Sequence, residues 1–285
     1  MSLFRLIVRA SFLLLIPTFA SAGDIGLDTS VYASYGFANG TYDKDGKKTD
    51  LLDGTSGSFL LIDLGVNYQL MDRLKLNIGL PLVQKSFKME AIGLDESTFG
   101  LGDPSIGATY SHNISAAFSV RGALSFKIAL GKKDHFKANA SRGDHHLNAK
   151  FIISTSPIDN LGIDLDGGYI LTLGGPTDGA DMGDIIYTNL YLGYEISGLT
   201  PRLGVHFFTQ GEPSNTTANL LREYPQQGIS LTFDLAYEIS DGMTVNAGIG
   251  TRQIHEGTNL PWGFALMGKN VKYGRSFGLG FKAEF

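Results

Sequence analysis

The chain closes on Phe281-Lys282-Ala283-Glu284-Phe285, and the alternation in those residues constrains the fold more than any other feature. Extended backward, the register puts Phe277, Leu279, Phe281, Ala283 and Phe285 on one face. Ser276, Gly278, Gly280, Lys282 and Glu284 take the other. Successive side chains of a strand point to opposite sides, so this segment reads as a strand with one apolar and one polar face. Such a strand suits a barrel standing in a bilayer, with its apolar side outward.

The same pattern repeats along the chain. Ile229, Leu231, Phe233, Leu235, Tyr237 and Ile239 oppose Ser230, Thr232, Asp234, Ala236, Glu238 and Ser240. Phe118, Val120, Leu124 and Phe126 oppose Ser119, Arg121, Ser125 and Lys127, and Leu60, Ile62, Leu64 and Val66 oppose Asp63 and Asn67. Period-two patterning over so many segments predicts strands, about twelve of them, and no segment holds a helical period. Short links are expected at Met71-Asp72, His112-Asn113-Ile114, Pro157-Ile158-Asp159, Ser197-Gly198 and Asp241-Gly242. Longer polar links are expected near residues 38–57, 90–99, 131–144, 174–184, 210–227 and 253–272. Short turns at one end and long loops at the other are the habit of bacterial outer-membrane barrels. The expected fold is therefore all-β: an antiparallel up-and-down transmembrane barrel with both termini on the periplasmic side.

The N-terminus reads as a targeting segment. Arg5 and Arg9 precede an apolar run from Ala10 to Phe19, and Ala20-Ser21-Ala22 offers a small-residue cleavage site. The run falls short of the roughly 20 apolar residues that a spanning helix needs. The organisation expected is a signal peptide over residues 1–22 and a barrel over 23–285, with insertion left to strands. A formal net charge of −5 argues against nucleic acid as partner. The absence of cysteine removes thiol catalysis and thiolate metal sites. Glycine, 37 residues, fits strands that must bend and turn.

Charges on the polar faces must look into a lumen, because an Arg or Lys facing lipid at the midplane costs roughly 2–4 kcal/mol. Asp63, Arg121, Lys127, Lys150, Asp164, Asp166, His206, Asp234 and Arg252 are the expected pore-lining residues. Lys150 faces Asp164 and Asp166 across a tight turn, so an ion-pair ladder is expected there. Tyr35, Phe37, Tyr68, Tyr110, Tyr194 and Tyr237 would form interfacial girdles. The stretch holding Pro261, Trp262, Phe264, Leu266 and Met267 would either fold into the mouth or prolong a hairpin. His135, His145 and His146 match no zinc motif, and Asp178, Asp181 and Asp184 lack EF-hand spacing, so no metal or cofactor is expected.

Thr98-Phe99-Gly100-Leu101-Gly102-Asp103-Pro104-Ser105-Ile106-Gly107-Ala108-Thr109-Tyr110 resembles a descending strand of the outer-membrane transporter-like proteins of the MetA pathway of phenol degradation. The resemblance implies passage of small, often aromatic or hydrophobic, compounds, with Gly102 allowing close backbone approach and Asp103 lining the lumen near the external rim. The terminal Phe285 is similar to the assembly signal of bacterial outer-membrane proteins, which implies outer-membrane lipid and the assembly machinery as partners. The expectation is a non-enzymatic outer-membrane channel or passive transporter for a small-molecule solute in a Gram-negative cell. Two alternatives stand beside it: a non-conducting structural or adhesive barrel, and a barrel-embedded lipid hydrolase. The hydrolase would require a Ser-His pair on the outer face, where His145 is the one histidine at a suitable height.

Overall fold

The structure is a computed structural model that describes residues 26–42, 48–49, 55–89, 93–131, 144–173, 183–211, 226–256 and 271–284. The expected signal segment, the Pro261–Met267 stretch, His135, Asp178, Asp181 and Phe285 lie outside the described residues.

The strands are β1 (Leu27–Tyr42), β2 (Lys48–Thr49), β3 (Thr55–Met71), β4 (Leu74–Met89), β5 (Leu94–Leu101), β6 (Ser105–Ser115) and β7 (Phe118–Lys127). They continue as β8 (His145–Ile158), β9 (Leu161–Leu173), β10 (Ile185–Tyr194), β11 (Leu199–Gln210), β12 (Gln226–Ser240), β13 (Met243–Glu256) and β14 (Val271–Glu284). Apart from the short β2 and β5, which pair only with β1 and β4, successive strands pair antiparallel around the sheet, and β14 returns to β1 from Asp28↔Glu284 to Tyr42↔Val271. The sheet therefore closes. β5 and β6 both pair with β4 and form one interrupted stave, while β2 adds two residues to the upper end of β1. Twelve staves make the wall, as the alternation predicted.

Closure satisfies the strand backbones internally, which a hydrocarbon surround demands. Outward side chains are large and apolar: Phe151 is 53% exposed and Leu231 50%. Tyr68, Tyr194 and Tyr237 are exposed close to the short turns, where the girdle was expected. At the other end Phe37 stands 6.3 Å from Phe277 and 6.2 Å from Tyr35.

The short turns lie at Asp72-Arg73, Ala116-Ala117, Asp159-Asn160, Ser197-Gly198 and Asp241-Gly242. Asn160 (φ 67°) and Gly242 (φ 75°) supply the left-handed conformation that tight hairpins require. The second turn is displaced from the expected 112–114, because His112 and Asn113 still pair with Val120 and Ser119. The expected loop over 90–99 is also shorter: Leu94 already pairs with Met89, so β5 prolongs the wall.

Pro81, which threatened to interrupt a strand, sits inside β4 without breaking it. Its carbonyl accepts the Gly102 N–H at 2.7 Å, so its polar edge faces the β5/β6 stave. That stave leaves the ladder over residues 102–104, where a proline has no N–H to offer. The two defects coincide, and side chains replace the missing bonds. Asp103, expected to line the lumen, is instead buried in the wall at 6% exposure, and its Oδ1 accepts the Leu130 N–H at 3.2 Å. Pro104 accepts from Ile128 at 2.8 Å, and His145 Nδ1 accepts from Ala129 at 3.0 Å. Asp103→Ala should therefore strand a part-buried donor and cost about 1 kcal/mol, with Asp103→Asn milder. Urea unfolding in lipid vesicles, followed by circular dichroism, measures both; equal stability of all three proteins would remove Asp103 from the wall's support.

Candidate solute pathway through the barrel

Two polar chains run across the inner face from β7 to β12. Nearer the short turns, Arg121 donates to Ser154 Oγ at 2.9 Å, and Ser154 donates to Asp164 Oδ1 at 2.5 Å. Arg202 reaches Asp164 Oδ2 at 2.6 Å, with its guanidinium carbon 3.9 Å above the centre of the Tyr191 ring. One carboxylate thus holds two guanidinium groups, Arg121 standing 3.8 Å away. Farther from the turns, Lys150 pairs with Asp166 at 2.7 Å, and Asn189 Nδ2 donates to Asp166 Oδ1 at 2.5 Å. Asn189 Oδ1 lies 3.1 Å from His206 Nδ1, and His206 Nε2 lies 3.0 Å from Thr232 Oγ1. Asp166 is only 5% exposed, so its charge needs this partner and this hydrogen bond to remain in place.

The aromatic residues of the inner face follow a single rule. Tyr32 faces Gly280 in register, Phe59 faces Gly36, Tyr187 faces Gly168, Tyr191 faces Gly204 and Phe208 faces Gly228. Each ring lies across its glycine: a Cβ at Gly36, Gly168, Gly228 or Gly280 would meet the ring closer than side-chain contacts allow. The glycines are seats. Without them the rings would be pushed off the wall toward the axis; with them the rings lie against the wall. On β10 and β11, Tyr187 and Phe208 stand on the long-loop side of Asn189 and His206, and Tyr191 stands on the short-turn side.

β13 and β14 present Gly248, Gly250, Gly278 and Gly280 to the lumen, a strip without side chains. Near the short-turn end a cavity of about 770 Å³ opens beside it, lined among others by Tyr32, Asp164, Tyr191, Arg202, Asp234 and Asn246.

Of the residues expected to line a pore, Arg121, Lys150, Asp164, Asp166 and His206 come together in the two polar chains. The Lys150–Asp166 pair is the rung that the sequence predicted. Asp63, opposite Pro81 on β3, and Lys127, at the end of β7, stand apart from these chains. Arg252 occupies β13 opposite Ser230, and its side chain lies outside the description. Arg202, Asn189, Ser154 and the five seated aromatics were missed. Their signal is register, since an aromatic opposite a glycine is visible only once strands are paired. His145, on which the hydrolase alternative leans, is built into the wall by its bond from Ala129 and stacks on Phe126 at 5.8 Å.

The seating makes a mutational test available. Gly228→Val should overpack the site beneath Phe208 and cost about 1–3 kcal/mol. Phe208→Ala in the same chain should recover most of that loss. The fraction of folded barrel on unheated gels reads the result, and a double variant no better than Gly228→Val would refute the seat.

Residues 17–268 match the family described as "Putative MetA-pathway of phenol degradation". No curated protein matches the chain. Among solved structures, the COG4313 outer membrane channel from Pseudomonas putida F1 superposes with a TM-score of 0.70 at 14% identity, over 93% of this chain and 100% of that one. The β domain of the Bordetella autotransporter Brka gives 0.55 at 9% identity, covering 91% and 100% of the two chains. The NanC porin gives 0.50 at 12% identity, covering 90% and 100%. At such identities the likeness is one of fold. Closure, an apolar exterior and outer-membrane neighbours agree on where such a molecule resides. The chain belongs to the MetA-pathway family of phenol degradation and is an antiparallel β-barrel of the bacterial outer membrane.

Proposed function

We propose that this barrel is a passive channel for small solutes that carry a planar ring, with its long loops outside the cell and its short turns and termini in the periplasm. The observation that carries the reading is the seating of all five described inner-face aromatics on register-paired glycines. A ring pressed flat against the wall offers its π face to a passing molecule, whereas an upright ring fills the lumen. Rings on both sides of the polar chains give a solute a succession of weak contacts, each about 0.5–1.5 kcal/mol when aromatic meets aromatic. Weak, repeated sites favour entry without trapping. The polar chains between them supply donors and acceptors for a hydroxyl or carbonyl on the ring. The family's description points to the same solutes.

Swelling of proteoliposomes tests this. Uncharged phenolic solutes should enter severalfold faster than acyclic polyols of equal size, and Tyr191→Ala with Phe208→Ala should abolish most of the difference. Equal rates for both solute classes would remove the ring preference. No swelling with any solute would favour the non-conducting barrel.

A further inference from the structure

Arg202 and Asp234 face each other in register across β11 and β12, where opposite charges ordinarily pair. Here they part. Arg202 leans toward β9, over the Tyr191 ring and onto Asp164. Asp234 leans the other way and lies across Gly248 of β13, where an added methyl group would overlap its Oδ1. From the far side, Tyr32 of β1 lies across Gly278 and Gly280 of β14, its hydroxyl over Gly278. Gly248 and Gly278 are register partners. The carboxylate and the hydroxyl therefore approach each other over two adjoining strands that place no side chain between them. Both line the short-turn cavity, together with Asn246.

We infer that Asp234 is the cation-selecting residue of the lumen, and that small cations pass along the glycine strip between it and Tyr32. The inference rests on the channel reading above. Among the described residues Asp234 makes no ion pair, while the cations nearby are held elsewhere: Arg121 and Arg202 on Asp164, and Lys150 on Asp166. A permeating cation meets a carboxylate whose charge no ion pair cancels. In this cavity an anion meets the Arg202 guanidinium, already engaged by Asp164. The Tyr32 hydroxyl adds an uncharged oxygen that can replace part of a hydration shell. Asp63, another carboxylate of the inner face without an ion pair among the described residues, lies opposite Pro81 and outside this cavity, while Glu195, which lines the cavity, is not among the groups that lie over the strip glycines. Asp234 is therefore the carboxylate that lies over the glycine strip.

Reversal potentials of single channels in planar bilayers, under a potassium chloride gradient, decide the matter. The unaltered barrel should prefer potassium over chloride. Asp234→Asn should lower that permeability ratio by about fivefold, the effect of one charge about 4 Å away in near-aqueous surroundings. Asp234→Glu should keep it, and so should Asp63→Asn. Chloride preference in the unaltered barrel overturns the inference without need of any variant. So does an unchanged reversal potential in a conducting Asp234→Asn barrel, or a loss of selectivity in Asp63→Asn alone. No conductance in the unaltered barrel would instead overturn the channel reading, and the inference with it.

Discussion

Everything in this molecule depends on the closure of the backbone ladder between β14 and β1. Within hydrocarbon an unpaired amide costs several kcal/mol, so a sheet can stand there only if it has no edge. Closure then divides the side chains. Those pointing outward meet lipid and must be apolar, and those pointing inward have no solvent except the lumen. The alternation along each strand is the sequence's answer to that division. The one interrupted stave obeys the same demand: where residues 102–104 leave the ladder, Pro81 offers no donor, and Asp103 and His145 accept the amides that have lost their partners.

The barrel's large features were legible because they depend on local pattern. Alternation identified the strands, and turn residues such as Gly198 and Gly242 marked short links. The Lys150–Asp166 rung could be foreseen because β8 and β9 are joined by a tight turn, which fixes their register. Contacts between more distant strands could not. Arg202 reaches from β11 across β10 to Asp164 on β9, and no local pattern announces a bond that skips a strand. Asp103 misled for a related reason. The family resemblance implied a lumen-facing Asp103, and only the break in its own stave reveals that it serves the backbone.

The abundance of glycine reads differently with the register in hand. Bending and turning explain some of it, yet Gly36, Gly168, Gly204, Gly228 and Gly280 each stand opposite an inner-face aromatic. Gly in a strand interior weakens it by removing side-chain packing. A ring laid across the vacant position restores contact area and shields the exposed backbone, which offsets part of that loss. The same exchange keeps the rings against the wall, so that a ring's thickness and not its length projects inward.

The two sides of the lumen follow from how far a side chain can reach. Neighbouring strands are about 4.8 Å apart, so a carboxylate bonds easily with the adjacent strand, and a guanidinium can cross two. Between β7 and β11 the reaches of Arg121, Lys150 and Arg202 find carboxylates on β9, and those charges are consumed within the wall. β13 and β14 carry glycine over the same stretch, so they neither project charge nor accept it, and whatever leans onto them keeps its own character. Asp234 and Tyr32 do so from opposite sides. Any larger residue at position 248 would overlap Asp234 Oδ1 and displace the carboxylate from this strand. A residue without a side chain thus determines where that charge lies.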